Sequence, residues 1–437
     1  MSDQITICVV GLGYVGLPTA LAFHKSGYRI IGIDVKTEII NSLKKGICHL
    51  SDTVANLEIP TNSERWNLTS DFGKYIPESD VILITVPTPV SSDRTPDLSL
   101  VRSAMKSVLS SNGKKTNQII VLESTVYPGA TNEVVESIKE ELQEKFPKDV
   151  QFAYSPERVS PGDEGKNAEN VAKIVGSNEE DVGRYLAGLY DKITIKGCKY
   201  VGPIEVAEAA KMIENTQRDL DIAFVNELAK VLPKMGLDVM DVIEAASTKW
   251  NFHKHTPGIG VGGHCIPVDP YYYIQSSKNV GQESVISPKA RKINESMPGY
   301  CAKIIKKIVK NEGVVFVMGL SYKPNVGDMR ESPSMDMIDE LHKFNLKIRA
   351  WDPLVPDSYE MPDYVEIVTD PYHGAKGADM VVLATAHDAF LGIDWDKIGQ
   401  LVSEKKVFDG PRTLNREKMK SAGFEYSGVG VPDGKHS

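Results

Sequence analysis

The chain has 437 residues, of which 41% are apolar and 25% are charged, and its formal net charge is −9. This length is too great for one ordinary hydrophobic core, so two or three domains are predicted. The negative charge argues against nucleic acid or a membrane surface as a partner, and the apolar runs fall short of the ~18 residues that a membrane helix needs.

Residues 1–150 alternate between strand-like and helix-like stretches. Buried strands are predicted at residues 5–10, 29–34, 81–86 and 119–122, and a helix at residues 17–26. The helix is expected to stop at Gly27, because glycine readily adopts the conformation that ends helices. The first strand runs straight into a glycine motif and lacks a charged start, so it is interpreted as a core strand and not as a signal peptide. This alternation is typical of a parallel sheet with helices on both faces.

A helical pattern extends from residue 204 to about residue 235 and contains neither glycine nor proline before Pro233. At 1.5 Å per residue this helix would be roughly 45–50 Å long, which exceeds the width of a small domain. We therefore expect it to bridge two domains or to pack against a second copy of the chain.

The βαβ alternation starts again at residues 314–318. A helix is predicted at residues 334–344, and further strands at residues 381–384, 406–408 and in a stretch ending at residue 352. This segment has no GxGxxG motif, so we do not expect it to bind a dinucleotide pyrophosphate. The glycine-rich tail after Glu425 is expected to be poorly ordered. The predicted fold class is α/β, with two Rossmann-like doubly wound domains joined by a long central helix.

A glycine-rich turn, Gly11-Leu-Gly13-Tyr-Val-Gly16, follows the first strand and opens the first helix. Such a turn lets a pyrophosphate approach the N-terminus of the helix. Asp34 stands at the end of the next strand, where a carboxylate can accept a hydrogen bond from an adenosine ribose 2′-OH. The same charge would repel a 2′-phosphate, so NAD is favoured over NADP. The alternative is a turn in an α/β core that binds no phosphate.

Polar residues follow three further strands, at the edge where parallel sheets bind ligands. Thr88 and Thr125 could face the nicotinamide half of a dinucleotide, although a threonine in a turn is just as often structural. Glu157 and Arg158, in the run Ser155-Pro-Glu-Arg, place a carboxylate beside a cation at another strand end.

Lys211 and Asn215 lie four residues apart on the long helix and therefore on one face, with Arg218 one turn further. A lysine beside an asparagine can stabilise an oxyanion with one charged and one neutral donor. The alternative is an ordinary solvated helix face.

The run Gly258-Ile-Gly-Val-Gly262-Gly-His-Cys265 is the most unusual segment, because its glycines let the backbone come very close to a ligand. A cysteine after such a loop can be reached by a substrate and activated as a thiolate. The alternative is a glycine-rich turn with a buried cysteine. The five cysteines are scattered and form no CxxC pair, which predicts reduced thiols in a cytoplasmic protein.

Basic residues also follow strands of the C-terminal segment. Tyr322, Lys323 and Arg330 come after its first strand, and Arg412 comes after a later one, in the run Asp-Gly-Pro-Arg. Basic groups in these places could bind phosphate.

Taken together, these motifs resemble the UDP-glucose/GDP-mannose dehydrogenase family. They occur in the family's order over nearly the whole chain: GLGYVGLP, ESTVYPG, SPER, EAAKMIENT, GVGGHCIPVD, SYKPNVGDMRESP and DGPR. The resemblance implies an NAD-binding domain at residues 1–200, a central helical and dimerisation region with the cysteine loop at 201–311, and a UDP-binding domain at 312–437. It also implies a homodimer or higher homo-oligomer, a UDP-sugar substrate and a four-electron oxidation with NAD.

The resemblance also assigns roles to individual residues. Cys265 matches the nucleophile, Lys211 and Asn215 match the stabilisers of the oxyanion, Asp269 matches their acidic partner, and Glu157 matches the residue that assists thioester hydrolysis, with Thr125 nearby in the catalytic set. The matches to cofactor contacts are Gly11, Gly13, Tyr14, Val15, Gly16, Asp34, Thr88, Thr125 and Arg330. The matches to contacts with the nucleotide sugar are Arg158, Val159, Lys211, Asn215, Arg218, Lys249, Gly262, Tyr322, Lys323 and Arg412.

Two motifs bear on the substrate. The UDP-glucose enzymes usually have GFGGSCFPKD and NPEF, whereas this chain has GVGGHCIPVD and SPERVSPG, which resembles the branch that acts on UDP-N-acetylhexosamines. The N-acetylmannosamine enzymes typically carry His-Pro-Arg before the glycine loop, where this chain has the residues Lys249-Trp-Asn-Phe. UDP-GlcNAc or UDP-GalNAc is therefore the expected substrate, with UDP-ManNAc and UDP-glucose as alternatives.

Two other functions compete with this one. A two-electron dehydrogenase of the β-hydroxyacid type would share the first domain, the long helix and the Lys–Asn pair, but would not need Cys265 or a second Rossmann-like domain. A non-catalytic regulator that binds NAD or UDP would bind ligands without turnover.

Overall fold

The structure is a computed structural model that describes residues 5–50, 57–91, 95–111, 117–158, 169–263, 265–355 and 359–432. Contacts between residues divide the chain into two compact units. Unit 1 consists of Met1–Glu214 and Tyr271–Glu283, and unit 2 consists of Asn215–Pro270 and Ser284–Ser437. Across the described ranges, no helix combines the length and the apolar character needed to cross a membrane.

Unit 1 is built on a sheet that has eight strands in the part of the chain that the structure describes. The strands are β1 (Thr6–Val10), β2 (Arg29–Ile33), β3 (Trp66–Thr69), β4 (Val81–Ile84), β5 (Gln118–Leu122), β6 (Val150–Tyr154), β7 (Lys173–Ser177) and β8 (Cys198–Tyr200). Their order is β3-β2-β1-β4-β5-β6-β7-β8, and every neighbouring pair is parallel except β6 with β7. The order reverses between β1 and β4, where doubly wound sheets open a ligand crevice beyond the carboxyl ends of the strands.

Helices cover both faces of this sheet. They are α1 (Gly16–Lys25), α2 (Thr37–Lys44), α3 (Phe72–Tyr75), α4 (Ser99–Ser111), α5 (Ala130–Leu142) and α6 (Glu180–Tyr190). Alternate side chains of a strand point to opposite faces, so Ile7 and Val9 pack in one apolar core and Cys8 and Val10 in another. Burial on both faces explains why the strands of unit 1 are continuous apolar runs in the sequence.

The long helix α7 spans Ile204–Val231 and is followed by a 3-10 turn at Leu232–Met235. Pro233 lies in this turn, where its missing backbone N–H prevents the α-helix from continuing. The predicted long helix is thus confirmed. The boundary between the two units falls inside α7, after Glu214, so the helix belongs to unit 1 at its start and to unit 2 at its end.

Unit 2 contains a second sheet, and its six strands in the described ranges are all parallel. The strands are β9 (Val314–Met318), β10 (Lys347–Trp351), β11 (Val365–Ile367), β12 (Met380–Leu383), β13 (Lys406–Asp409) and β14 (Glu425–Gly428), in the order β11-β10-β9-β12-β13-β14. The helices after α7 are α8 (Val239–Ala246), α9 (Asp269–Asn279), α10 (Ile286–Glu295), α11 (Met297–Ile308), α12 (Pro333–Lys343), α13 (Pro371–Ala375), α14 (Trp395–Leu401) and α15 (Arg416–Ser421). From Tyr271 onward α9 belongs to unit 1, and the other helices of this set belong to unit 2. The prediction of two Rossmann-like sheets is confirmed.

The expectation of a poorly ordered tail after Glu425 is wrong for residues 425–432. Strand β14 pairs with β13 at the edge of the second sheet, and Tyr426 and Val429 are buried. At Gly430 a neighbouring side chain leaves no space for a larger residue: a Cβ on Gly430, which has φ +74°, would lie 2.1 Å from Cγ1 of Val239. Residues 433–437 lie outside the described residues.

Candidate active site

The glycine turn of unit 1 has the shape that a pyrophosphate needs. Gly11 has φ +93°, and a Cβ on Gly16 would lie 1.9 Å from the carbonyl oxygen of Gly11 and 2.4 Å from Oγ1 of Thr85. The Cβ direction of Gly13 is open, with no atom within 4 Å among the described residues. Helix α1 begins at Gly16 and offers its N-terminal amides and its positive dipole end to an anion.

Asp34 follows β2 and is held at the rim of this turn. Its Oδ2 accepts from the backbone N–H of Leu12 at 2.9 Å, and its Oδ1 accepts from that of Lys36 at 2.9 Å. A carboxylate fixed in this place is the expected acceptor for a ribose hydroxyl. Gly13, Gly16 and Asp34 therefore fit NAD. Tyr14 is 36% exposed and Val15 is half-buried, and both lie where α1 begins.

The two predicted threonines lie on loops that follow adjacent strands. The loop after β5 is tied to the loop after β4, because Oγ of Ser124 donates to the carbonyl oxygen of Val86 at 2.6 Å. The carbonyl oxygen of Thr88 accepts from the hydroxyl of Tyr272 at 3.2 Å, and the side chains of Thr88 and Thr125 are both half-buried. The structure thus places the two loops side by side in unit 1, and the threonines' contacts with a cofactor stay a prediction.

Glu157 is fixed at three points directly after β6. Its backbone carbonyl accepts from Nζ of Lys211 at 2.6 Å, and its Oε1 accepts from the backbone N–H of Arg158 at 2.6 Å. Its Oε2 lies 3.4 Å from Nζ of Lys173. Lys211 is only 8% exposed, so the interpretation of this helix face as a solvated surface does not hold for it.

Lys173 belongs to a buried polar cluster that the sequence analysis missed. Glu123 is buried, its Oε1 accepts from the hydroxyl of Tyr190, and its Oε2 lies 4.0 Å from Nζ of Lys173. Burial raises the pKa of Glu123. Burial alone would lower the pKa of Lys173, but the charges of Glu123 and Glu157 outweigh it and raise this pKa, so the ammonium stays charged. A charged residue as the first residue of an apolar strand was the signal in the sequence.

Arg158 is engaged within unit 1. Its guanidinium pairs with the carboxylate of Glu214, with Nε at 3.1 Å from Oε2, and Nη1 donates to the carbonyl oxygen of Ala172 at 3.2 Å. Val159, which was predicted to contact the sugar, lies outside the described residues. The predicted role of Arg158 stays a prediction.

In unit 2, three predicted catalytic residues come together. The carbonyl oxygen of Cys265 accepts from the backbone N–H of Asp269 at 2.8 Å, which places the thiol one turn before α9. The side-chain amide of Asn215 donates to Oδ2 of Asp269, which is 1% exposed. Asn215 and Lys211 are one turn apart on α7. Cys265 is exposed, so the alternative of a buried cysteine in a turn is wrong.

The exposure of Cys265 distinguishes it from the other cysteines, none of which forms a disulfide. Burial raises the pKa of Cys8, Cys198 and Cys301 to about 12. Since the thiolate is the nucleophile, these three thiols are unreactive at neutral pH. Cys48 is half-buried against the apolar core of unit 1.

The glycine loop packs against the segment that follows β9. A Cβ on Gly262 would lie 2.5 Å from the carbonyl oxygen of Glu331, 2.7 Å from Pro333 and 2.8 Å from Cβ of Tyr322. A Cβ on Gly263, which has φ +87°, would lie 2.7 Å from the ring of Tyr322. Glycine is required at these two positions because the neighbouring loop of the protein itself leaves no space for a side chain. From the sequence, the glycines had been expected to make space for a ligand.

A buried network anchors the start of the same loop, and the sequence analysis missed it. Oδ1 of Asp219 accepts from Nη1 of Arg291 at 2.6 Å and from Nδ2 of Asn294 at 2.7 Å. Asn294 accepts from Nδ2 of Asn226 at 2.9 Å, and Oδ1 of Asn226 accepts from the backbone N–H of Gly258 at 3.0 Å. Asp219 and Asn226 are seven residues apart on the buried stripe of α7, and polar residues in an apolar stripe were the signal in the sequence.

The second sheet has an aspartate where the first has Asp34. Asp352 follows β10, and its Oδ2 accepts from the backbone N–H of Leu320 at 2.7 Å, from Oγ of Ser321 at 2.9 Å and from Nε2 of His387 at 2.9 Å. Nδ1 of His387 accepts from the backbone N–H of Asn325 at 2.9 Å. A carboxylate only accepts, so Nε2 of His387 donates the hydrogen in this contact. This chain of bonds fixes the loop that carries Tyr322 and Lys323.

The remaining predicted substrate and cofactor residues are scattered over unit 2. Arg330 is 55% exposed and paired with Asp328 at 2.7 Å. Arg218 and Lys249 are exposed, and Lys323 is half-buried. Arg412 turns inward: Nη2 donates to both carboxylate oxygens of Asp238 at 2.9 Å, and its side chain is 7% exposed. Arg412 thus binds the protein's own carboxylate, and its contact with a nucleotide sugar stays a prediction.

Within the described ranges, no cluster of three histidine, cysteine or acidic residues is arranged to hold a metal ion.

Three domain models of one family match the chain, each under the description "UDP-glucose/GDP-mannose dehydrogenase family". They are its NAD binding domain at residues 5–194, its central domain at residues 205–296 and its UDP binding domain at residues 316–416. These ranges correspond in turn to the first sheet, to the region from α7 to α10 and to the second sheet.

Individual relatives match over almost their whole length. A UDP-N-acetyl-D-glucosamine 6-dehydrogenase of Pseudomonas aeruginosa is 36% identical over 427 residues, which cover 95% of this chain and 98% of that protein. A UDP-N-acetyl-D-mannosamine dehydrogenase of Pyrococcus horikoshii is 32% identical over 434 residues, which cover 98% and 99%. The solved structure of a UDP-D-ManNAc dehydrogenase from Pyrococcus horikoshii is similar with a TM-score of 0.86 and 30% identity, over 98% of this chain and 100% of that one. The chain belongs to the UDP-glucose/GDP-mannose dehydrogenase family.

Proposed function

We propose that the protein oxidises the C6 hydroxymethyl group of a UDP-N-acetylhexosamine, UDP-GlcNAc or UDP-GalNAc, to a carboxylate with two NAD+, as a step toward polysaccharide or glycan precursors. One observation carries the chemistry. The exposed thiol of Cys265 lies one turn before Asp269, and Asp269 holds the side-chain amide of Asn215. The 36% identity to a UDP-N-acetyl-D-glucosamine 6-dehydrogenase supports the substrate class.

The reaction needs a nucleophile because an aldehyde intermediate could escape. NAD+ supplies the hydride acceptor for both oxidations. The thiolate of Cys265 adds to the aldehyde carbon to give a thiohemiacetal, and loss of the second hydride converts it to a thioester. Lys211 and the amide of Asn215 donate to the oxygen that carries negative charge in these steps. Such donors lower the barrier most when they are held in place beforehand, as Asn215 is by Asp269.

Release of the product is a hydrolysis. The oxygen of water bonds to the thioester carbon, its proton passes to the carboxylate of Glu157, and the C–S bond breaks so that its electron pair returns to the sulfur of Cys265. Glu157 suits this role because its backbone and one carboxylate oxygen are both fixed, which orients the other oxygen. Thr125 completes the proposed catalytic set.

The nucleotide and sugar require donors from several loops. We assign the uridine diphosphate to Tyr322, Lys323 and the loop that His387 fixes, since the UDP binding domain of the family matches this region. We assign the sugar to Arg158, Arg218, Lys249 and Gly262, and a further contact to Arg412, as the family motifs imply. Val159 is also proposed, from the motif alone.

We also propose a cytoplasmic homodimer, with an NAD domain at residues 1–200, a central region at 201–311 and a UDP domain at 312–437. Val206, Ile213, Phe224 and Val231 are all apolar and between 41% and 54% exposed on α7. Their spacings of seven, eleven and seven residues place them on one face of the helix, which suits a second copy of the chain. Light scattering on the purified protein measures the mass and decides between monomer and dimer.

The first test counts NADH per sugar for UDP-glucose, UDP-GlcNAc, UDP-GalNAc and UDP-ManNAc. We expect two NADH per sugar consumed, and kcat/KM for UDP-GlcNAc or UDP-GalNAc at least ~10-fold above UDP-glucose, a difference of ~1.4 kcal/mol. A site built to pair the N-acetyl amide leaves buried polar groups unpaired with UDP-glucose. One NADH per sugar indicates a two-electron dehydrogenase, and binding without turnover indicates a regulator.

UDP-ManNAc is the second candidate substrate, because the Pyrococcus horikoshii relative at 32% identity bears that name. A preference for UDP-ManNAc in the same panel would overturn the proposed sugar epimer and leave the proposed chemistry unchanged.

The second test replaces the nucleophile. Cys265→Ser should bind NAD+ and sugar with little change but stall after the first hydride, since a serine hydroxyl is a far weaker nucleophile at neutral pH. Cys48→Ser is the matched control, and it should turn over normally. Steady production of two NADH per sugar by Cys265→Ser would remove this thiol from the mechanism.

A further inference from the structure

A buried lysine in unit 1 stands behind the carboxylate that the proposed function uses for hydrolysis. Lys173 is the first residue of β7 and is 5% exposed. Its ammonium lies 3.4 Å from Oε2 of Glu157 and 4.0 Å from Oε2 of Glu123, over the ring of Tyr190 at 5.1 Å from the centroid. Burying an ammonium between two carboxylates is costly, and apolar residues of similar volume often stabilise such sites. A role in function, rather than in stability, would explain why Lys173 is buried between Glu123 and Glu157.

The two carboxylates are held in different ways. Glu123 is fully buried, takes the hydroxyl of Tyr190 on Oε1, and has no hydrogen-bond partner for Oε2 among the described residues. Burial raises the pKa of Glu123, which favours its neutral form. Glu157 is partly exposed, takes the N–H of Arg158 on Oε1 and presents Oε2 to the ammonium at the shorter distance. The ammonium of Lys173 therefore interacts with both carboxylates, and its shorter contact is with Glu157.

We propose that Lys173 is a positioning residue for product release: it holds the carboxylate of Glu157 ionised and oriented to take the proton of the water that attacks the thioester. This inference rests on the proposed function. Removing the ammonium takes away the positive charge that lies 3.4 Å from Oε2 of Glu157, so the ionised form of Glu157 loses both its stabilisation and its orientation. A protonated Glu157 cannot accept the proton of water, so the thioester persists.

Four titratable groups of the described residues act on the ammonium of Lys173 or are affected by it. Glu157 follows β6, Glu123 follows β5, Tyr190 ends α6, and Cys198 starts β8 with its pKa raised by burial to about 12. Lys211 of α7 reaches the backbone carbonyl of Glu157 rather than its carboxylate. Glu157 is the partly exposed carboxylate of this set, so it is the group that a pH profile of hydrolysis would report.

The test compares Lys173→Met with Lys173→Arg and with Lys199→Met, an exposed lysine on the adjoining strand. For Lys173→Met we expect a burst of two NADH per active site followed by a steady rate at least ~10-fold slower, with KM changed less than kcat. Mass spectrometry after acid quenching should show the acyl group on Cys265. The acid limb of the kcat profile should move up by about one pH unit or more. Lys173→Arg should restore hydrolysis, and Lys199→Met should match the native protein.

Wild-type hydrolysis and an unmoved acid limb in folded Lys173→Met would overturn the inference while leaving the proposed function intact. Absence of a second NADH in the native protein would overturn the proposed function itself, and the inference with it. If Lys173→Met does not fold, the double variant Lys173→Met/Glu157→Gln is compared with Glu157→Gln, because the only carboxyl of the cluster that then remains is Glu123, whose neutral form is favoured by burial. Equal hydrolysis rates support the inference, and a further ~10-fold loss contradicts it, because Lys173 would then act other than through Glu157.

Discussion

Replacing Asp352 by asparagine should destabilise unit 2 by a calculable amount at neutral pH and by almost nothing in acid. Oδ2 of Asp352 accepts from the N–H and hydroxyl of Ser321, the N–H of Leu320 and Nε2 of His387, and Oδ1 accepts from the N–H of Leu354 at 2.9 Å. Burial alone would raise the pKa of this carboxyl. The hydrogen bond and electrostatic interaction with His387, together with hydrogen bonds from the backbone, outweigh burial and lower the pKa from 3.8 to about 2.

The magnitude follows from this difference in pKa. Each unit is worth 1.36 kcal/mol, so a shift of nearly two units stabilises the folded state by about 2 kcal/mol. The folded pKa is the lower one, so the stabilisation is complete well above pH 4 and is lost as the pH falls through about 4 toward about 2. Asparagine keeps the shape but carries no charge, so the variant should lack this contribution at every pH.

Hydrogen exchange of peptides that cover β9 and β10 measures the opening of this sheet. At pH 7 we expect exchange in Asp352→Asn to be about 30-fold faster than in the native protein, which corresponds to about 2 kcal/mol, and the ratio should fall to about two near pH 2. Asp363→Asn, an exposed carboxylate of the same unit, is the control and should change little. A ratio that stays near 30 at both pH values, or is near one at pH 7, would refute the reasoning.

Two further predictions concern the cofactor and the chain end. Asp34→Ala should weaken NAD+ binding and reduce the preference for NAD+ over NADP+, because it removes an acceptor for the ribose 2′-OH and a charge that repels a 2′-phosphate. A preference of the native protein for NADP+ would contradict this assignment. Gly430→Ala should destabilise unit 2 by about 2–4 kcal/mol in urea unfolding, from its φ of +74° and the 2.1 Å approach to Val239, whereas Gly392→Ala, with no atom within 4 Å among the described residues, should cost far less.

Much of the fold could be predicted because the relevant signals are local. The strands at residues 5–10 and 314–318 are apolar at every position except Thr6, since both faces of each sheet are covered by helices. The long helix was predictable because neither glycine nor proline interrupts it before Pro233. These features depend on neighbours in the sequence, so the sequence alone is enough to predict them.

The chain end was predicted wrongly because glycine has two uses. Gly428 and Gly430 suggested flexibility, yet a Cβ on Gly428 would lie 2.6 Å from the carbonyl oxygen of Asp409, and one on Gly430 would lie 2.1 Å from Val239. Both partners are far away in the sequence. The need for a small residue is visible only when the approaching backbone or side chain is known.

The residues of the candidate site likewise divide into those that sequence motifs predict and those whose role is visible only in the structure. The grouping of Cys265, Asp269 and Asn215 followed from motif resemblance, and the structure brings the three together. The cluster of Lys173 and Glu123 comes from separate strands, and although Glu123 opens the motif ESTVYPG, Lys173 belongs to none of the motifs. A buried charge is informative only once its partner is placed beside it.

The two aspartates at the ends of the second strands, Asp34 and Asp352, show how one fold position acquires different functions. Both carboxylates accept from a backbone N–H that follows the first strand of their sheet, that of Leu12 and that of Leu320. In unit 2 the imidazole of His387 also donates to the carboxylate and ties it to the loop after β9. Asp352 thus holds the protein's own loop at the position that corresponds to Asp34, for which we predict a contact with a ribose. The recognition that unit 2 provides must then come from the side chains of that loop, and substitutions at His387 should impair sugar-nucleotide binding without affecting NAD+.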